Sequence, residues 1–384
     1  MKEESYIELA FDQVSDRPQT HVLIIGVGNY PYLKGGSQEE AQTVIGLQQL
    51  EQLTSPPESA LALFRTFTEF EKQGILINPL GSIDVLISAA PGANIPDDLN
   101  YRAATIRNVE LAFDAWWKRC DRNKDNTAIF FFCGHGLEKG DQYLLTEDFG
   151  ENPRNPWRGA FAFDTTRSAF HGCAAQTQLF FIDACRQVTG GMLEANLSGI
   201  PGLATGSYIG TESIYNLTIK AAAQNRNAYG QEGSASYFTS ALIRGLSGHA
   251  STSNEDDEWI VETGRLALLM TQLIKLENES QGFPQRCPYV MGESKAIIRL
   301  KEVPEVILQV NCNPDAALEH AALSCIEPVS RERRQREPAG SPWEIPLKAG
   351  VYELQASFAG RQYTDSRKMT TVIPPFKKER IKCQ

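Results

Sequence analysis

Two short segments carry residue types that could do covalent chemistry. Phe132-Cys133-Gly134-His135-Gly136 closes one apolar run, and Ile182-Asp183-Ala184-Cys185-Arg186 closes another. A thiol becomes a strong nucleophile when a neighbouring base takes its proton, and imidazole titrates in the right range for that task. The glycines on either side of His135 let the backbone turn and come close to a bound molecule. Alone, a cysteine at a strand end is usually a small core residue. The pair, each at the end of a buried apolar run, points instead to a Cys185–His135 dyad. The other histidines suit this role less well: His21 precedes a strand, His171 falls in a short helical stretch, and His249 and His320 lie in polar sequence. Cys133 reads as packing. A metal site from Cys133, His135 and Cys185 matches no familiar ligand spacing.

These residues need a scaffold that brings two strand ends together. His21–Gly28, Ser82–Ser88, Thr127–Cys133, Gln178–Ala184 and Tyr215–Ala223 read as strands, several apolar throughout, as expected for burial on both faces. Helices are predicted near 57–72, 102–119, 164–172, 236–247 and 262–277. The second of these carries Ile106, Val109, Phe113, Trp116 and Cys120 at helical spacing. Strands alternating with helices predict an α/β fold: an open, mostly parallel sheet with helices on both faces. In such sheets ligands bind beyond the carboxyl ends of the strands. The pattern changes near 296–304. Tyr352, Leu354, Ala356 and Phe358 alternate with polar residues, and Val306–Val310 and Thr370–Ile373 are further strand candidates. Residues 1–296 are thus expected to form the α/β domain and 297–384 a small all-β sandwich. The Arg331–Arg336 run is expected on a polar loop, and residues 186–214, rich in Gly and Ser, as a long loop.

Apolar strand then His-Gly, followed by apolar strand then Asp-Ala-Cys, resembles the caspase and metacaspase group of cysteine peptidases. His135 and Cys185 are 50 residues apart, the separation found in caspases. Of the caspase cysteine signature, Ala184, Cys185 and Arg186 agree, while Asp183 replaces glutamine and Gln187 replaces glycine. Weaker likeness lies in Ile24–Tyr30 and Gly233–Leu242, so the resemblance spans about 20–296. No recruitment domain fits before residue 20, which suits a stand-alone, prokaryotic-type member.

The resemblance implies an endopeptidase. Cys185 would attack the scissile carbonyl, His135 would move the proton, and the backbone N–H groups of Gly136 and Cys185 would hold the oxyanion. Metacaspases place an aspartate two residues before the nucleophile, where it lines a pocket for Arg or Lys. Asp183 stands at that position. A buried carboxylate pairs with a guanidinium and repels an acidic side chain. The competing roles for Asp183 are capping of nearby backbone N–H groups and, with Arg226 near a caspase pocket arginine, cleavage after Asp. Residues 187–219 contain no Lys, Arg or Asp, so neither specificity would cut that loop. Activity as one uncut chain, or on activation by a protein partner, is expected. Some metacaspases need calcium. The acidic run Glu255–Glu258 precedes a helix but matches no calcium loop, so no cofactor is expected.

Composition narrows the rest. The 384-residue chain has a net charge of -10, with 42% hydrophobic and 22% charged residues, a globular and not a disordered composition. Residues 297–384 hold 14 Lys/Arg against 11 Asp/Glu, and the remainder 23 against 36. An acidic first domain disfavours nucleic acid and suits a basic substrate. There is no apolar run long enough to span a membrane and no signal-peptide pattern at the start. Eight scattered cysteines without a Cys-x-x-Cys pair read as reduced thiols in the cytoplasm. Two other classes remain open: a catalytically idle binding protein or adaptor on the same fold, and an acyl-transferring relative. Regulated cell death or defence follows only by analogy.

Overall fold

The computed structural model describes residues 9–10, 16–39, 50–90, 95–96, 99, 101–185, 200–206, 213–222, 233–277, 285–360 and 362–384. Strands Leu9–Ala10 (β1) and Thr20–Val27 (β2) lead to helix Ser55–Gln73 (α1), strand Leu80–Ser88 (β3), helix Ile106–Cys120 (α2) and strand Thr127–Gly134 (β4). Three short strands follow, Gly136–Lys139 (β5), Asp141–Leu145 (β6) and Ala160–Ala162 (β7). Helix Phe163–Phe170 (α3) then precedes strands Thr177–Ala184 (β8) and Tyr215–Lys220 (β9). Next come helix Tyr237–Arg244 (α4), the hairpin Ser251–Ser253 (β10) and Trp259–Glu262 (β11), helix Thr263–Glu277 (α5), and strands Tyr289–Met291 (β12) and Ala296–Arg299 (β13). The C-terminal part is all strand apart from one 3-10 turn: Glu305–Asn313 (β14), Ala321–Ile326 (β15), Arg333–Arg336 (β16), Trp343–Lys348 (β17), Gly350–Phe358 (β18), Ser366–Val372 (β19) and Phe376–Lys382 (β20).

The central sheet has the order β1-β3-β2-β4-β8-β9-β12. From β3 to β9 every neighbour is parallel, and the edge strands β1 and β12 are antiparallel. The α/β architecture expected from the alternating pattern is therefore present, with strand ends moved by a few residues. β2, β4 and β8 are buried along their whole length, which explains why they read as continuous apolar runs. Alternate residues serve opposite faces. Leu23, Ile25, Phe130, Phe132, Phe180 and Ile182 pack with Val109, Phe113, Trp116 and Phe170. On the other face Gly26 lies under α1, where a Cβ would sit 2.6 Å from the Pro56 carbonyl oxygen. Each buried phenylalanine contributes roughly 1.5–3 kcal/mol, so the central strands are the most firmly held part of the sheet.

The chain divides into two compact units, residues 1–243 with 270–297, and residues 244–269 with 298–384. Within residues 298–384 lie the sheets β17-β14-β20 and β16-β15-β18-β19. They share one core in which Val306, Leu308 and Val310 meet Leu323, Cys325, Leu354 and Ala356, a sandwich with the expected alternation. One expectation is corrected here. Arg333–Arg336 is not loop but an edge strand, paired antiparallel with β15. An edge strand of a small sandwich keeps its charged side chains in water and discourages further pairing, so the charge run is compatible with strand.

Candidate active site

The register of β4 and β8 sets Cys133 opposite Asp183 and Gly134 opposite Ala184. One residue further on, His135 and Cys185 leave neighbouring parallel strands at the same level of the carboxyl edge. Gly136 lies against this corner. A Cβ on it would sit 2.7 Å from the Cys185 carbonyl oxygen and 2.8 Å from the Ala184 Cβ, so the approach admits glycine alone.

His135 is 9% exposed. Its Nε2 lies 2.7 Å from the Glu51 carbonyl oxygen. A carbonyl only accepts, so Nε2 carries the hydrogen and Nδ1 keeps its lone pair. Burial lowers the imidazole to about 4, the bond to Glu51 pulling back only in part, and the ring is neutral at pH 7. The backbone N–H of His135 donates to the Tyr30 hydroxyl at 2.8 Å, and that hydroxyl donates to the Leu145 carbonyl at 3.3 Å. The phenol and imidazole rings lie 4.8 Å apart, tilted by 44°. Burial pushes the Tyr30 hydroxyl far above its ordinary range, so it stays protonated. Tyr30 is clamped in turn by Gln52, whose Oε1 accepts from its N–H at 2.8 Å and whose Nε2 donates to its carbonyl at 2.9 Å.

Cys185 is half-buried, while the other seven cysteines are buried. Burial pushes Cys120 and Cys133 far up, and lifts Cys173 to about 12 and Cys325 to about 11. Such thiols neither ionise nor meet solvent readily. Cys185 alone among the cysteines has intermediate exposure.

Asp183 is 3% exposed. Its Oδ2 accepts from the Ser236 hydroxyl, from the Thr239 hydroxyl at 2.9 Å and from the Cys133 thiol at 3.3 Å. Ser236 and Thr239 stand at the start of α4, and the Ser236 N–H donates to Ser59 of α1 at 3.0 Å. Burial raises the carboxyl, and the three bonds pull it back. Among the described residues no cation pairs with it. Cys133 thus does more than pack. No sequence signal marks Glu51, which acts through its backbone, and only a weak one marks Tyr30, which closes the Ile24–Tyr30 motif. Ser236 and Thr239 lie within the Gly233–Leu242 segment, but nothing there tied them to Asp183.

Among the described residues no three His, Cys, Asp or Glu side chains are grouped so as to hold a metal ion. Glu255–Glu258 occupies the turn of the β10–β11 hairpin, not the start of a helix. There the Asn254 Oδ1 accepts from the N–H groups of Asp256 and Glu258. Arg186, Arg226 and most of the 187–219 stretch lie outside the described residues.

A parallel sheet with helices on both faces, and a His-Gly corner beside a cysteine at its carboxyl edge, is the outline of the caspase-type α/β proteins. The caspase domain model of peptidase family C14 matches residues 19–266, and the chain belongs to that family. It is 28% identical over 245 residues to the uncharacterized protein y4kE of Sinorhizobium fredii, covering 62% of this chain and 70% of that one. Among solved structures it is similar to protein GSU0716 from Geobacter sulfurreducens, with a TM-score of 0.43, 14% identity, and coverage of 72% of this chain and 94% of that one. Caspase-1 from Spodoptera frugiperda gives a TM-score of 0.40, 13% identity, and coverage of 75% and 93%.

Proposed function

We propose that the chain is a cysteine endopeptidase in which Cys185 is the nucleophile and His135 the proton carrier, cleaving after Arg or Lys. The observation that carries the dyad is the β4–β8 register, which sends His135 and Cys185 off adjacent strand ends, together with Cys185 being the one cysteine that is not buried. The neutral imidazole, with Nδ1 bare, suits a general base. Cys185 Sγ bonds to the scissile carbonyl carbon as its proton passes to His135, and the carbonyl electron pair moves onto oxygen. The N–H groups of Gly136 and Cys185 are the proposed donors to that oxyanion. Collapse expels the amine, which takes the proton from His135. Water then attacks the thioester, gives a proton back through His135, and releases the acid and the free thiol.

The preference for a basic residue is supported by the electrostatics of Asp183. It is a buried carboxylate with three neutral donors and, among the described residues, no cation. A guanidinium or ammonium entering from the substrate supplies the missing positive charge. The absence of Lys, Arg and Asp from 187–219 supports activity as a single chain. Eight free thiols suit a reducing compartment such as the cytoplasm, and among the described residues no helix is long and apolar enough to cross a membrane.

The test is digestion of an unstructured protein, with mass spectrometry of the new C-termini, beside fluorogenic peptides ending in Arg, Lys or Asp. Arg or Lys before the cut bond is expected, from a chain that stays in one piece. Cys185→Ala should lower turnover at least about 10⁴-fold. Cuts after Asp would leave the peptidase standing and overturn the preference. No cleavage of any peptide, with or without cell extract as a source of activator, would favour an idle binding protein.

A further inference from the structure

The structure assigns a positioning role to Gln142, an inference that rests on the peptidase reading above: its carboxamide fixes the Cys185 carbonyl and so sets the spacing of the two backbone donors that face the oxyanion. Gln142 lies on β6 and is completely buried. Its Nε2 donates to the Cys185 carbonyl oxygen at 3.4 Å. The same nitrogen lies 3.4 Å from the place where a Gly136 Cβ would be. The Cys185 carbonyl is therefore held between the Gly136 backbone and this amide. Gly136 and Cys185 are the two residues whose N–H groups would receive the developing negative charge.

The rest of Gln142 is anchored from behind. Its backbone N–H donates to Asp164 Oδ2 at 3.2 Å, and Asp164 pairs with Lys220 at 2.9 Å. Lys220 lies on β9 opposite Ile182 of the nucleophile strand, and its ammonium sits 5.1 Å from the Phe163 ring centroid. β6, α3 and β9 are thus tied together behind the Gln142 backbone.

What sets Gln142 apart from other buried glutamines is the carbonyl that its donor half reaches, that of Cys185. Among the described residues Gln142 Oε1 is buried without a hydrogen-bond partner, as are the Oε1 atoms of Gln178 and Gln285. An unmatched acceptor in a dry site is destabilising, and an apolar residue of similar shape would remove that penalty. The donor half of the amide is engaged at the nucleophile, and it explains why a polar residue stands there.

The experiment compares Gln142→Met and Gln142→Glu with wild type in the full chain. It uses an Arg-ending fluorogenic peptide, a peptide aldehyde ending in Arg, and iodoacetamide. The aldehyde adds the Cys185 sulfur to its carbonyl carbon, its oxygen keeping the thiol proton, and so tests the donors to that oxygen. Iodoacetamide alkylates the sulfur with loss of iodide and reports the thiol alone. Gln142→Met should lower kcat and aldehyde affinity by about tenfold to a hundredfold, less than direct loss of a donor. KM and the Cys185 alkylation rate should stay within about twofold, and the melting temperature should hold or rise. In Gln142→Glu, a protonated carboxyl can donate in place of the amide. Aldehyde affinity relative to wild type should therefore recover as pH falls. Unchanged kcat and aldehyde affinity in Gln142→Met would overturn the inference. So would a parallel fall in melting temperature, alkylation and kcat, the mark of a structural role. Wild type that neither turns over peptide nor binds the aldehyde would defeat the peptidase reading itself, and this inference with it.

Discussion

Two buried aspartates on parallel strands of one sheet are solved differently. Asp84, on β3, is 1% exposed and ion-paired with Arg119 of α2. Burial still pushes it up to about 6, with the arginine pulling the other way. Asp183, on β8, is equally deep but receives only hydroxyl and thiol donors. The first charge is closed from within by a side chain that also bonds Ser82 at 2.9 Å. The second is held by neutral donors, with no cation beside it among the described residues. A carboxylate kept in that state is a standing electrostatic demand that a visiting cation can meet. On the proposed reading, the difference separates a scaffold carboxylate from one suited to a ligand.

Substitution at both positions is the sharpest way to break this contrast. Asp183→Asn should lower kcat/KM for Arg- and Lys-ending peptides by about a hundredfold or more, since a polar site built for one partner discriminates strongly. Its folding stability should change little, because the amide oxygen can still accept. Asp84→Asn should do the reverse. It leaves Arg119 half-partnered in a dry site and should cost on the order of 3 kcal/mol in denaturant unfolding, with kcat/KM unaffected. Activity loss from Asp84→Asn, or stability loss alone from Asp183→Asn, would erase the distinction.

The histidine at the same edge gives a pH signature of intermediate size. Its folded-state value is lowered to about 4, so between the ordinary value near 6.5 and 4 the unfolded chain binds the proton first. Stability from this group is present above about pH 6.5 and is lost as pH falls toward 4, about 3 kcal/mol in all. His135→Gln should flatten that part of the profile, read by unfolding at several pH values. For activity, the base form of His135 should persist below pH 6, placing the acid limb of kcat/KM lower than an exposed histidine would. A limb centred near 6.5 would contradict the burial argument. The smallest effect belongs to Tyr30→Phe. It strips the His135 N–H of its acceptor and should reduce stability by about 1–2 kcal/mol and kcat only a few-fold.

Much of the frame was legible because its strands are buried on both faces. β2, β4 and β8 leave uninterrupted apolar runs, and the residues just past β4 and β8 stand out as polar. The partners at the site were harder to read for physical reasons. Glu51 contributes a carbonyl, which every residue possesses. Gln142 sits on a five-residue strand whose pairing with β5 and β7 is set by tertiary context. The Arg333–Arg336 strand was hidden because an edge position tolerates the charges that elsewhere signal a loop.

The Gln52–Tyr30 clamp has a consequence for how such proteins diversify. Residues 28–30 and 51–53 are joined by the paired amide bonds of Gln52 and by the Leu53 N–H donating to Gly28 at 2.9 Å. The Glu51 carbonyl that orients the imidazole is therefore moored through its neighbours Gln52 and Leu53. A lineage that replaces Gln52 therefore has to replace both of its bonds to Tyr30, or the carbonyl beside it drifts from the imidazole.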